Sequence, residues 1–358
     1  MRSPVLQVRD LSVHFQVDTG RLFRHDYHTI RAVDGVSFDV RPAETLGIVG
    51  ESGCGKSTLA RALLGLVRPA GGSVVWLGQE LVGASEETLR AKRRELQLIF
   101  QDPSGSLDPR MTVGEIVAEP LKTFYPSMSR LQVRERVTGI MQMVGLLPEQ
   151  INRYPHEFSG GQCQRIGIAR ALVVNPRLVV CDEPVSALDV SIQAQIVNLL
   201  KDLQNKLQLS LVFIAHDLSV VRHVSDRVLV MYMGRVMEVA DRDSIYLKPR
   251  HPYTRALIES VPIPDPVRER ARARRSLEGD MPSPLNPPSG CVFRTRCPFA
   301  TPECGEQPPA LETLDSGNQV ACIHHREIAD RAPLPAAGHE APDNAAQPPD
   351  DSEARSGG

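Results

Sequence analysis

The chain has 358 residues, 23% of them charged and 41% hydrophobic, with a formal net charge of -2. That balance gives no field favouring nucleic acid over other partners, and no apolar run approaches the ~18 residues needed to cross a bilayer. The opening Met1–Gln7 lacks the apolar core of a secretory signal, so the expectation is a soluble cytoplasmic chain with one large core domain and an appendage.

Val5–Phe15 alternates in part, as a half-exposed strand does. Asp18–Thr29 is polar with a glycine and reads as a hairpin loop or insertion, and Val33–Val40 resumes the alternation. An antiparallel strand pair is therefore expected. Phe15 is a candidate to stack on a purine face, with Tyr27 a rival and simple burial in the core the alternative.

Thr45–Val49 reads as a buried strand. It is followed by Gly50-Glu51-Ser52-Gly53-Cys54-Gly55-Lys56-Ser57-Thr58 and the helical run Leu59–Leu64. This is G-x-x-x-x-G-K-[ST] in the strand, loop and helix context that gives the pattern meaning. Glycines let backbone N–H groups approach a polyphosphate, and the helix turns its positive end toward the same anion. Lys56 can then reach the β- and γ-phosphates, and Ser57 can offer its hydroxyl to Mg²⁺.

Gly71-Gly72 reads as a turn, Ser73–Gly78 as a strand and Glu86–Glu95 as a charged surface helix. Leu96–Gln101 is a buried strand ending on an amide, and Gln101 there can meet a metal or an attacking water. Residues 102–155 form a helical insertion, with helices around Val113–Leu121 and Leu131–Val144 bounded by Pro126 and Pro148. It closes on Ser159-Gly160-Gly161-Gln162 ahead of a helix over Cys163–Val174. Ser159 is placed as an N-cap, so this is a second helix N-terminus prepared for an anion. The first loop already surrounds a nucleotide on its own side, so the expected ligand is the γ-phosphate of ATP held by another copy.

Arg177–Glu183 is an apolar strand ending in two carboxylates, whose neighbours on a strand face opposite ways. Asp182 suits Mg²⁺ and Glu183 the role of base toward water. Pro184–Asp189 makes a turn, Val190–Leu207 a helix and Leu209–Ala215 another buried strand. His216 at its end can donate to the γ-phosphate when Asp189 and the backbone orient it.

Beyond Arg242 the texture changes. Residues 247–266 are Pro-rich, Arg268–Arg275 is a basic helix or linker with a solvated face, and the stretch after His325 has the composition of disorder. Between them lie Cys291, Cys297, Cys304 and Cys322, spaced C-x5-C-x6-C-x17-C. Disulfides are unexpected in a reducing compartment, and few large apolar residues are present to build a core. The spacing is wider than the C-x₂₋₄-C pairs of structural zinc and suits an iron–sulfur cluster on four cysteines. Zinc and metal-free thiols remain open. Cys54 and Cys181 read as packing residues.

Six motifs in order carry a family resemblance. The chain resembles the nucleotide-binding subunits of ABC transporters through Gly50–Thr58 (Walker A), Gln101 (Q-loop), Ser159–Gln162 (signature), Leu178–Glu183 (Walker B), Ser186–Asp189 (D-loop) and His216 (H-loop). It is more narrowly similar to oligopeptide/dipeptide (and nickel) importers. That likeness rests on Gly50–Gly55, Glu157–Gln162, Cys181–Asp189, His251-Pro252-Tyr253-Thr254 and Gly290–Pro298. Ser260–Pro266 points to the second of the two ATPase subunits, the one labelled F. Two departures stand out. Cys163 replaces a usually basic residue, which leaves a gap in positive charge beside the signature helix, and Arg41-Pro42-Ala43-Glu44 lacks a usual glycine.

The resemblance implies an α/β fold: a P-loop NTPase (RecA-like) core with an antiparallel β subdomain and a helical subdomain, plus a small irregular Cys-containing C-terminal extension. The implied division is an ATPase domain over 1–245 (helical subdomain about 102–160), the extension over 246–326 and a disordered tail over 327–358. ATP would be held by Phe15, the Gly50–Thr58 loop, Gln101, Asp182, Ser159–Gln162 and Asp189, with Mg²⁺ on Ser57, Gln101 and Asp182. Glu183, His216 and Gln101 would be catalytic, and a [4Fe–4S] cluster would sit on the four extension cysteines. The implied activity is ATP hydrolysis powering import of di- and oligopeptides from the cytoplasmic face of the membrane. The implied partners are a second ABC ATPase subunit (paralogue or self), two membrane permease subunits and, indirectly, an extracytoplasmic substrate-binding protein, with no nucleic acid. A soluble ABC ATPase, or an importer of another solute such as nickel, is the alternative.

Overall fold

The computed structural model describes residues 3–18, 27–261 and 279–329. The basic run over 268–275 and almost all of the tail lie outside the described residues. In chain order the first elements are β1 (Leu6–Asp18), β2 (Tyr27–Val40), β3 (Thr45–Val49), α1 (Lys56–Leu63), β4 (Gly71–Trp76) and β5 (Gln79–Glu80). Then come α2 (Glu86–Arg93), β6 (Leu96–Ile99), α3 (Val113–Phe124), α4 (Arg130–Met143), α5 (Gly160–Leu172), β7 (Leu178–Asp182) and α6 (Val190–Leu207). The chain continues with β8 (Ser210–Ala215), α7 (Leu218–Val224), β9 (Arg227–Tyr232), β10 (Arg235–Asp241), α8 (Arg242–Leu247), α9 (Pro252–Ser260), β11 (Glu312–Thr313) and β12 (Gln319–Val320).

The central sheet has the order β11-β12-β10-β9-β3-β8-β7-β6. Strands β6, β7, β8, β3 and β9 run parallel, and β10, β12 and β11 continue the sheet antiparallel. Every residue of β3, β7 and β8 is buried, which is why these strands read as continuous apolar runs rather than alternations. On β7, Val179 and Cys181 face the helical layer, while Leu178 and Val180 pack with α1 and the second sheet. That second sheet is antiparallel, in the order β2-β1-β4-β5. Helix α1 sits between the two sheets with Leu59, Ala60 and Leu63 buried.

Helices α3, α4 and α5 form the helical part between β6 and β7. Thr112 with Glu115 and Ser129 with Gln132 make capping boxes at α3 and α4, each cap worth about 1 kcal/mol. Ile116, Val117 and Leu121 pack with Val137, Met141 and Ile166 in the larger of two hydrophobic clusters.

Several elements differ from the sequence expectation. Gly71 and Gly72 belong to β4 rather than a turn, because Gly72 (φ 92°) lies where a Cβ would strike the backbone of Asp10 and Leu11. The strands of the first hairpin run on to Asp18 and resume at Tyr27, inside the expected loop. Helix α5 starts at Gly160, three residues early, because the Ser159–Gln162 capping box fixes its first turn. Glu183 lies one residue past β7 at φ 46°, so the opposite-faces argument does not apply to it. The Pro-rich stretch contains α9, whose Tyr253 and Leu257 are buried. Residues 218–241, unassigned above, form α7, β9 and β10. Ala43 takes φ 57° at the turn where glycine is usual. Among the described residues no helix is long and apolar enough to cross a membrane.

Candidate functional site

The loop after β3 wraps the N-terminus of α1. Gly55 caps that helix at φ 103°, where any Cβ would collide with the carbonyl of Ala32. Lys56 is 4% exposed. Its Nζ donates to the carbonyls of Gly50 (2.8 Å) and Glu51 (2.9 Å) and lies 3.7 Å from Glu183 Oε1. Ser57 Oγ donates to Asp182 Oδ1 at 2.8 Å, which joins the loop to the end of β7. Asp182 is buried, and that burial raises its carboxyl above the usual range, while the Ser57 bond works against the rise.

Glu183 is held by its backbone, its N–H donating to the Ile214 carbonyl at 3.0 Å. Its side chain is 12% exposed. Oε2 accepts from Gln101 Nε2 at 3.0 Å and lies 3.7 Å from His216 Nδ1. The C-terminal ends of β3, β6, β7 and β8 therefore bring a lysine, a hydroxyl, an amide, two carboxylates and an imidazole to one place, the usual ligand edge of such a sheet.

A cavity of about 420 Å³ opens over this edge. Of the expected residues, Ser52, Gly53, Gly55, Lys56, Ser57, Thr58, Gln101 and Glu183 line it. Asp182 reaches it through Ser57. Gly50 lies beneath it against Met231. Cys54 is 1% exposed, its thiol pKa raised by that burial. Phe15 is 41% exposed on β1 and lies outside the cavity lining, as do His216 and Tyr27. Ile30 and Arg31 of β2, Met233 of the β9–β10 turn, and Met281, Pro287 and Pro288 of the extension complete the walls. No motif marks these last residues in the sequence.

Ser159, Gly160, Gly161 and Gln162 lie apart from this cavity. Ser159 Oγ accepts from Gln162 N–H and Gln162 Oε1 accepts from Ser159 N–H. The two glycines lean on Leu188 and Ile192, so the signature turn sits beside the N-terminus of α6. Asp189 caps α6, accepting from Ile192 N–H (3.0 Å) and Ser191 Oγ (2.8 Å). Its partners are these rather than His216. Cys163 is buried, its Sγ donating to the Pro155 carbonyl at 3.5 Å. It is a packing residue, and its side chain does not face the surface where a basic residue would add charge.

Cys291, Cys297, Cys304 and Cys322 are free thiols around one cavity of about 490 Å³. Burial pushes Cys297 up to about 11 and Cys322 up to about 12, with the neighbouring cysteines adding to the rise. Among the described residues no group of three or more His, Cys, Asp or Glu side chains is arranged to hold a metal ion. The iron–sulfur expectation therefore finds no support in this arrangement.

A profile of the ABC transporter family matches residues 33–186, and one described as oligopeptide/dipeptide transporter, C-terminal region, matches residues 237–304. The chain is 61% identical over 323 residues to the oligopeptide transport ATP-binding protein OppF of Escherichia coli, covering 90% of this chain and 96% of that protein. It is 54% identical over 328 residues to the putative oligopeptide transport ATP-binding protein YkfD of Bacillus subtilis, covering 91% and 97%. Among solved structures, the dimeric post-hydrolysis state of the ATP-binding cassette MJ0796 bound to ADP and Pi superposes with a TM-score of 0.59 at 28% identity, covering 66% of this chain and 98% of that one.

Proposed function

This chain belongs to the ABC transporter family, among the ATP-binding subunits of oligopeptide transporters, and we propose that it hydrolyses ATP at the 420 Å³ cavity to power import of di- and oligopeptides. The observation that carries the reading is the convergence of Lys56, Ser57, Gln101 and Glu183 on that cavity, with Asp182 bonded to Ser57.

Each residue then has a task. The loop N–H groups and the α1 N-terminus cradle the phosphates, and Lys56 moves from the Gly50 and Glu51 carbonyls to the β- and γ-phosphates. Ser57 Oγ and Asp182 Oδ1, two hard oxygen donors 2.8 Å apart, fit Mg²⁺, with Gln101 on the same wall. When bound, the ion neutralises charge on the phosphate oxygens. Glu183 takes the proton of the attacking water, while Gln101 holds its carboxylate in line and His216 approaches the γ-phosphate.

Ser159–Gln162 and Asp189 lie outside the cavity that contains Lys56. A role for them in ATP binding therefore requires the nucleotide of a second ATPase subunit, whether self or paralogue. Closure of the pair drives two permease subunits at the cytoplasmic face of the membrane. An extracytoplasmic binding protein supplies the peptide. Residues 1–245 would be the ATPase domain, 102–160 its helical part and 246–326 the extension. No step in this reading runs through an iron–sulfur cluster.

Co-expression tests the assembly. The chain is expected in the membrane fraction when its permeases are present and in the soluble fraction when they are not. Recovery that is independent of the permeases would contradict it.

A further inference from the structure

Glu51 is the second residue of the phosphate loop, and each of its polar groups is held. Its carbonyl accepts from Lys56 Nζ at 2.9 Å. Its N–H donates to the Tyr253 hydroxyl on α9 at 2.9 Å. Its carboxylate takes both contacts from one guanidinium, with Arg296 Nη1 donating to Oε1 at 3.0 Å and to Oε2 at 2.9 Å. Arg296 belongs to the cysteine-bearing extension, 245 residues along the chain. Two of the three anchors on the loop's first turn therefore come from beyond residue 250.

The arginine is unusually committed. Its side chain is 8% exposed and stacks near the Tyr232 ring, which packs with Tyr253 and Phe293. Its Nε is buried with no hydrogen-bond partner among the described residues. An unmade buried donor carries a cost, which the fold bears while bringing Nη1 to Glu51. Met281, Pro284, Pro287 and Pro288 of the same extension line the cavity that Lys56 and Ser57 line.

We propose that the extension is a built part of the nucleotide site, latched to the phosphate loop through Arg296 and Glu51. Arg296 is a positioning residue: it touches no phosphate but fixes where the loop leaves β3. The loop N–H groups must meet the phosphates within a few tenths of an ångström, so releasing Glu51 costs nucleotide affinity first. The proline and methionine wall then loses its register over the cavity as well. This inference rests on the ATP-site assignment made above.

The test uses the full-length chain, with ATP affinity by calorimetry, steady-state hydrolysis and thermal melting. Arg296→Gln and Glu51→Gln are each expected to raise the Kd and KM for ATP at least ~10-fold, since each leaves the other member of a partly buried, doubly hydrogen-bonded charge pair without its partner. The fall in kcat at saturating ATP is expected to be smaller than the rise in KM. Arg296→Lys restores part of the affinity. The double variant is no worse than either single one, because both remove the same contact. Unchanged affinity in Glu51→Gln and Arg296→Lys, or strictly additive losses, overturns the latch, and Glu51→Gln decides the matter if Arg296→Gln does not fold. Lys56→Ala run in parallel separates the two ideas. If it abolishes ATP binding while the latch variants bind normally, only the latch fails; if it binds ATP normally, the site assignment fails.

Discussion

Replacing Glu183 by glutamine removes one proton acceptor and one negative charge while keeping the shape. The backbone is insensitive to the change, since the left-handed φ of 46° is held by the N–H bond to Ile214 and by the turn that follows. The glutamine carbonyl can still accept from Gln101 Nε2, now at 3.0 Å from the carboxylate. What disappears is the base and the charge 3.7 Å from Lys56 Nζ. The lost charge leaves Lys56 freer to meet phosphate, so ATP affinity is expected to hold or rise. The lost base lowers turnover at least ~10²-fold, which is about 2.7 kcal/mol of barrier. Phosphate release at saturating ATP and Mg²⁺ measures the first quantity. Gel filtration with ATP shows whether the closed dimer accumulates. Turnover within a few-fold of the parent, in a variant that binds ATP normally, would falsify the assignment of Glu183 as the base.

Three other outcomes follow from named contacts. Lys56→Ala is expected to lose nucleotide binding itself, because its charge meets the ground-state phosphates; a calorimetric titration reads it directly. Gly160→Asp adds a Cβ that meets only Leu188 at 3.4 Å, so folding and monomer binding of ATP should survive. A carboxylate at the signature turn repels a partner's γ-phosphate, so hydrolysis should vanish, and a parallel fall in monomer affinity would contradict the two-subunit site. Glu238 on β10 is buried among the N–H groups of Arg250 (2.8 Å) and His251 (2.9 Å), and burial pushes its carboxyl up to about 7 from an ordinary 4.5. The native state thus holds this proton more tightly than the unfolded chain. Its stabilisation, on the order of 3 kcal/mol, is complete below pH 4.5 and lost as pH rises through about 7. Melting of Glu238→Gln should show a flatter pH dependence over that window, and an unchanged slope would remove Glu238 as its source.

The parts of the site legible in the sequence are those built locally. A glycine-rich loop between a strand and a helix declares itself because three neighbouring conformations must all permit it, and Lys56 and Ser57 follow from their place in the pattern. Asp182 is legible because an apolar strand that ends on a polar residue delivers it to the ligand edge, whereas β6 stops at Ile99 and Gln101 arrives from the bend two residues beyond it rather than from the strand end. At α5 the Ser159 cap is legible but the start of the helix is not: the Ser159–Gln162 capping box draws both glycines into the first turn. Helix α9 is passed over, although His251 caps it and Pro252 occupies its first turn, both ordinary start signals. The Arg296–Glu51 contact leaves no periodic trace, because two charged residues 245 positions apart meet only through tertiary packing. The exposure of Phe15 on β1 follows from strand register, which residue type alone does not reveal.

The most direct test of ATP-driven peptide import is uptake of a labelled oligopeptide by proteoliposomes. They would carry the complete transporter, with a substrate-binding protein outside and Mg-ATP enclosed with this subunit. Accumulation is expected with the parent chain, stoichiometrically linked to phosphate release, and only background uptake with Glu183→Gln despite normal ATP binding. Accumulation that continues at the parental rate with Glu183→Gln would contradict the account.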